Sequence, residues 1–179
     1  MERRNLVTLR TQRLYLIALS RDQIDMALHD VDALARDLNI TITPGTFSEE
    51  SRQAMTIKIT RMDYVDPSLH EWFTYFLLVH TAERVAVGVC GFKGMPNAIG
   101  SVELGYASHP NHRNRGYMTE AVRALIEWAF THENCVVVTA ETLRENIASQ
   151  RVLQKAGMTF DRAVDHMLYW KIPKPENHR

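Results

Sequence analysis

The apolar residues of this chain change their period twice. RLYLIAL (13–19) alternates polar and apolar and predicts a half-buried strand. Ser20 with Gln23 then makes a capping-box pattern, and Ile24, Ala27, Leu28 and Val31 recur at helical spacing. TPGTFSEE interrupts that region, Ser48 can cap a second helix to about Met62, and Asp66-Pro67 closes it. Three strand candidates follow: WFTYFLLV (72–79), RVAVGVCGF (84–92) and SVELGYAS (101–108). TAE and KGMPNAIG supply the turns of an antiparallel meander. Beyond Ser108 the period changes again. A helix is expected from about Gly116 to His132, a buried strand CVVVTAET (135–142), and a helix from about Asn146 to Ala156 that Gly157 ends. HMLYWKI (166–172) is a last strand, and the tail PKPENHR (173–179) is expected to fray.

The pattern predicts a mixed α/β fold, with an antiparallel first half and a strand–helix–strand unit in the second. No repeat or linker divides the 179 residues, so a single domain is expected over 1–179, with a core at about 11–172. A chain of this length buries roughly 70% of its unfolded surface. Hydrophobic content of 45% and charged content of 23% exclude a disordered chain. No apolar run reaches the ~18–20 residues of a membrane span, and MERRNLVTLRTQR lacks the apolar stretch of a signal peptide. A cytoplasmic location without membrane contact is therefore expected. Basic and acidic residues both number 21, which argues against general nucleic-acid binding and leaves only a local basic spot at Arg113 and Arg115. Cys90 and Cys135 sit among valines and read as buried, reduced thiols. His109-x-x-His112 has no acidic or cysteine partner nearby, so no metal is expected.

The junction HPNHRNRGY (109–117) joins strand to helix through two arginines and a glycine. The first turn of a helix carries backbone N–H groups without intrahelical partners, at the positive end of its dipole. A glycine there admits an anion without a Cβ in the way. The segment is therefore either a phosphate site or a solvated turn. It is not a Walker loop, since no Gly-Lys-Ser/Thr follows, nor a dinucleotide fingerprint, since only one glycine is present.

VELGYASHPNHRNRGYMTEA (102–121) resembles motif A of the GNAT superfamily of acyl-CoA-dependent N-acetyltransferases. In that motif a strand runs into an Arg/Gln-x-x-Gly-x-Gly/Ala loop around the coenzyme A pyrophosphate. The loop here is Arg113-Asn114-Arg115-Gly116-Tyr117-Met118, with Met118 in place of the small last residue. AETLRENIASQRVLQKAGM (140–158) resembles the second coenzyme-contacting segment, through Asn146, Ser149, Lys155, Gly157 and Met158. TQRLYLIAL (11–19) and VGVCGFKG (87–94) look like the branch of ribosomal-protein N-terminal acetyltransferases.

The resemblance implies a central, mostly antiparallel sheet splayed at the acyl-CoA site and flanked by helices. It also implies acetyl-CoA as cosubstrate and direct attack by an amine in a ternary complex. The backbone of Tyr106, Ala107 and Ser108 would pair with pantetheine and meet the oxyanion. Glu103 matches the carboxylate that takes the amine proton, with Glu71, His80 and His109 as weaker alternatives. Many members place a proton-donating tyrosine where this chain has Leu153; Ser149, on the same helical face as Asn146, is the alternative acid. Asn146 would bond pantetheine or the strand end, or simply cap its helix. The acceptor is either a protein N-terminus or a small amine such as a polyamine or drug. A non-catalytic acyl-CoA-binding module is a different class that thiol release from acetyl-CoA separates. Trp72, Phe73, Tyr75 and Phe76 read mainly as core, with one face, like the segment 40–47, a candidate wall of an acceptor pocket. Both monomer and homodimer fit the sequence.

Overall fold

The structure, a computed structural model, describes residues 6–176. The chain runs β1 (Thr8–Arg10), β2 (Leu14–Ala18), α1 (Arg21–His29), α2 (Val31–Leu38), α3 (Glu49–Met62) and α4 (His70–Phe73). It continues through β3 (Phe76–His80), β4 (Ala86–Phe92), β5 (Ser101–Ser108), α5 (Tyr117–Phe130) and β6 (Val137–Leu143). α6 (Ile147–Lys155), β7 (Thr159–Val164) and β8 (Met167–Pro173) complete it. The strands form one open sheet in the order β1-β2-β3-β4-β5-β6-β8-β7. Every pairing is antiparallel except β5 with β6. This is the expected mixed α/β architecture, with the parallel step at the strand–helix–strand unit.

Helices cover both faces of the sheet, which explains the near-continuous apolar runs of its central strands. Phe76, Leu78, Cys90, Val102 and Leu104 pack with Val122, Leu125 and Ala129 of α5 and Leu153 of α6. Leu77, Val79, Ala86 and Val89 pack on the other face with Ile24, Leu34 and Met55 from α1, α2 and α3. Period-2 alternation thus divides β3 between two clusters, and in β4 the alternation shifts at the bulge opposite Leu78 and Val79, so that Val87 and Val89 face opposite sides. Both cysteines are buried free thiols, as expected, although Cys135 lies just before β6 rather than inside it.

Several expected boundaries shift for local reasons. The capping box at Ser20 is present, but the helix it starts breaks at Asp30, whose carboxylate accepts from Ala33 N–H and caps α2. Trp72 and Phe73 lie on α4, not on a strand, and the strand begins at Phe76. Trp72 there packs against Phe92, Trp128 and His132, with ring centroids 4.7–5.1 Å apart. Strands β1 and β7 have no counterpart among the predicted elements. Both are short or mostly exposed edge strands with little apolar alternation. The frayed tail is corrected as far as Lys174, whose N–H bonds Val136 O at 2.8 Å and whose Nζ reaches His132 O at 3.2 Å. Residues 1–5 and 177–179 lie outside the described residues. No helix among those described is long and apolar enough to cross a membrane.

Candidate active site

The sheet opens between β5 and β6. Their parallel register runs Ser101↔Val137, Val102↔Val138 and Glu103↔Thr139 and stops there. Beyond it β5 stays on β4 as far as Ser108, while β6 follows β8 to Leu143. Lys93 N–H bonds Glu103 O, and His109 N–H bonds Val87 O. Antiparallel alternation then aims the backbone of Glu103, Gly105 and Ala107 at β4, and that of Leu104, Tyr106 and Ser108 into the opening. Of the three residues expected to meet pantetheine and oxyanion, Tyr106 and Ser108 present their N–H and C=O groups to the gap. Ala107 spends its own on Val89.

The loop from Arg113 to Gly116 leads into α5 at one end of this opening. Asn114 and Gly116 are both left-handed, with φ of 61° and 78°. Gly116 is the N-cap of α5 and offers no side-chain cap; the first intrahelical bond is Glu120 N–H to Gly116 O at 3.1 Å. The N–H groups of Tyr117, Met118 and Thr119 therefore have no intrahelical partner and no side-chain cap among the described residues, and can meet an anion. Met118 does not cover them, because its side chain is buried under the sheet. Arg113 and Arg115 are exposed beside the loop.

A residue not anticipated here, Arg13, braces the loop. Its Nη1 donates to Arg115 O at 2.9 Å, its guanidinium lies 4.7 Å over the Tyr117 ring, and its Nε donates to Glu120 at 2.8 Å. Glu120 also accepts from Thr11 Oγ1 at 2.6 Å and Arg13 N–H at 2.8 Å. Burial works to raise the Glu120 pKa, but these hydrogen bonds outweigh it and hold the carboxyl below its ordinary value. Beside Gly116 opens a cleft of about 550 Å³ whose cations include Arg10, Arg13, Arg123 and Lys155. The alternating 13–19 pattern reveals a strand but gives no sign that a residue at its start reaches a loop a hundred positions away.

Glu103 points away from the core side chains Val102 and Leu104, as alternation requires. It forms an ion pair with Lys93. Lys93, just past β4, also reaches Glu141 of β6 at 2.7 Å. One ammonium thus joins the two strands at the vertex of the opening. Burial lowers the Lys93 pKa, yet its two carboxylate partners outweigh that and raise it, so the ammonium stays charged. Neither Lys93 nor Glu141 was singled out in the sequence; only the splay brings them to Glu103. On the same side of the sheet, buried Lys58 of α3 donates to Phe92 O at 2.6 Å and sits 4.7 Å from the Tyr75 ring centroid.

Across the opening stands α6. Asn146 is its N-cap and accepts from Ser149 N–H at 3.0 Å, so its side-chain oxygen serves the helix. Leu153 is fully buried in the core and lines nothing polar. Ser149, half-buried on the first turn, meets the phenol of Tyr106, with Oη 2.7 Å from its Oγ and 3.0 Å from its carbonyl oxygen. Tyr106 enters the site through its side chain as well as its backbone.

The weaker candidates are engaged elsewhere. His109 is buried; its Nδ1 accepts from Asn111 N–H at 3.1 Å, and its Nε2 lies 2.9 Å from Thr43 Oγ1 and 3.1 Å from Pro44 O. It ties the segment 40–47 to the residues that lead into the 113–116 loop. His80 accepts from Glu83 N–H and packs on Tyr117. Glu71 lies on α4. Among the described residues no group of three or more His, Cys, Asp or Glu side chains could hold a metal.

The Acetyltransferase (GNAT) domain family matches residues 13–159. The chain is 33% identical over 98 residues to the uncharacterized N-acetyltransferase YjdG of Bacillus subtilis (strain 168), covering 55% of this chain and 58% of that one. It is 30% identical over 148 residues to the uncharacterized N-acetyltransferase p20 of Bacillus licheniformis, covering 76% and 80%. Its fold is similar to that of RimL, a ribosomal L7/L12 α-N-protein acetyltransferase in complex with coenzyme A. That likeness has a TM-score of 0.65 at 14% identity, over 93% of this chain and 98% of that one. With the family's strand–loop–helix motif in place around an opened parallel pair, this chain belongs to the GNAT acetyltransferase family.

Proposed function

We propose that this protein is an acetyl-CoA-dependent N-acetyltransferase acting on a primary amine by direct attack in a ternary complex. The observation that carries the reading is the end of β5–β6 pairing at Glu103, which turns the Tyr106 and Ser108 backbone toward a gap beside a helix N-terminus. Coenzyme A, as substrate, would lay its pyrophosphate on the N–H groups at 117–119 with Arg113, Asn114, Arg115 and Gly116 around it. Its pantetheine would pair along Tyr106 and Ser108 as a strand does. The backbone N–H groups in the gap then meet the oxyanion as the amine adds to the thioester carbonyl.

Glu103, directly or through water, takes the proton that the attacking nitrogen must lose. The C–S bond breaks with its electron pair on sulfur, and Ser149 supplies the proton that makes the free thiol. A protein N-terminus is the favoured acceptor, by analogy with the activity in RimL's name. The ion-paired Glu103, Lys93 and Glu141 offer a polar surface for an amine-bearing end. The test is release of free thiol from acetyl-CoA across peptides with different N-terminal residues, polyamines and other small amines. Acetylated product from at least one amine is expected. Coenzyme binding without turnover on any of them would overturn the proposal in favour of a binding module.

A further inference from the structure

Leu153 poses a chemical difficulty that Ser149 alone does not remove. An aliphatic hydroxyl that gives its proton to a thiolate is left as an alkoxide, a strong base in a partly desolvated place. The structure supplies a better acid one bond away. Tyr106 Oη has a single hydrogen and two acceptors, both on Ser149. When the phenol donates to the Ser149 carbonyl, the 2.7 Å contact requires the serine to donate back to the phenol oxygen, and the serine hydrogen is consumed. When the phenol donates to Oγ, the serine hydrogen is released to point elsewhere. The pair also spans the opening, since Tyr106 belongs to β5 and Ser149 to the helix that follows β6.

We propose that Tyr106 is a positioning residue for the leaving group and its ultimate proton source, acting through Ser149, so that a phenol on β5 replaces the one missing at position 153. This rests on the reading of Ser149 as the leaving-group acid. As the C–S bond breaks, sulfur takes the Ser149 proton and Ser149 Oγ takes the phenol proton. Solvent restores the phenol, matched by the amine proton that Glu103 returns to solvent, and the protons balance. Burial, partly offset by the Ser149 hydrogen bond, pushes the Tyr106 pKa up to about 12, so the phenol enters each turnover protonated. At that value it is a far stronger acid than a serine hydroxyl or water.

The test is single-turnover acetyl transfer from acetyl-CoA to pentapeptides with free N-terminal Ser, Ala or Met, using the fastest. Tyr106→Phe keeps the ring and removes one oxygen. Its rate is expected to fall about tenfold or more, with the acetyl-CoA dissociation constant within twofold of wild type. Ser149→Ala is expected to fall at least as far, and the double variant no further than Ser149→Ala alone, as for two residues acting in one relay. Difluorotyrosine at position 106, which keeps the fold and ionises at lower pH, should lose rate at alkaline pH where wild type stays level. Wild-type turnover in Tyr106→Phe beside an impaired Ser149→Ala, or losses that multiply in the double variant, would overturn the relay alone. A Ser149→Ala enzyme with wild-type turnover would remove the Ser149 reading and the relay with it.

Discussion

Replacing Lys58 by methionine should reverse the sign of its effect on stability between acid and alkaline pH. Lys58 is 8% exposed on α3, with Nζ on Phe92 O and no carboxylate partner among the described residues. Burial, with smaller contributions from Arg61 and Lys93, depresses its pKa from 10.5 to about 7. At 1.36 kcal/mol per pH unit, that depression is about 5 kcal/mol of preference for the neutral amine in the folded protein. The folded value lies below the unfolded one. The associated stability is therefore complete above pH 10.5 and is lost as pH falls through 7, where the folded state must also hold the charge. Methionine removes this linkage but leaves Phe92 O without its donor, at a cost of about 1–3 kcal/mol. The variant should be more stable than wild type at pH 6 by roughly 2–4 kcal/mol, and at pH 10 level with it or up to about 2 kcal/mol less stable. Urea unfolding of both proteins at several pH values gives the difference directly, since all other titrations cancel. A difference independent of pH from 6 to 10 would refute the reasoning and mean that the ammonium is solvated in the folded state.

Three further outcomes concern the site. Gly116→Asp should weaken coenzyme A binding at least tenfold, about 1.4 kcal/mol, by placing a carboxylate where phosphates would sit. It should also lower stability by about 1 kcal/mol, because φ is +78° and a Cβ would lie 3.3 Å from Arg13 Nη2; calorimetry and unfolding separate the two, and unchanged affinity removes the phosphate cradle. Glu103→Gln should reduce turnover by about 10²–10⁴, most severely at low pH where free amine is scarcest, and a pH–rate profile parallel to wild type would take Glu103 out of the proton transfer. Glu120→Gln should cost about 1 kcal/mol at neutral pH, a modest figure because Arg13 is 40% exposed. The lowered Glu120 pKa places its stabilisation above the ordinary carboxylate range, to be lost as pH falls through the folded value, so the deficit should vanish in acid; a deficit unchanged in acid would contradict this.

Local rules account for what the sequence by itself determined. Capping at Ser20 and Ser48, the strand alternation of 101–108, and Gly157 ending α6 each depend on neighbours within a few residues, and each stands in the structure. Gly116 before an amphipathic run likewise located the helix N-terminus without reference to the rest of the chain. The side of β5 that bears Glu103 followed from the period of a strand alone. Trp72 and Phe73 were misplaced because aromatic residues suit a strand as well as a buried helical turn, and packing on Trp128 decides between them.

Tertiary structure decided the rest, because these contacts join residues tens of positions apart that no local pattern connects. Beyond Glu103, β5 stays with β4 while β6 stays with β8, and no single segment encodes where the two part. The parting turns Tyr106 and Ser108 toward the gap and leaves Ala107 on its neighbour. It brings Lys93 between Glu103 and Glu141, residues 38 positions apart. It sets the Tyr106 phenol against Ser149, 43 positions along the chain, where the sequence offered only a leucine in place of the expected tyrosine. Arg13 reaches Arg115 O across 102 positions because α5 crosses the face of the sheet and packs against β1 and β2. Side-chain type and spacing fix which groups are available, whereas the meeting of those groups depends on strand order, and strand order is settled by burying both faces of one sheet at once.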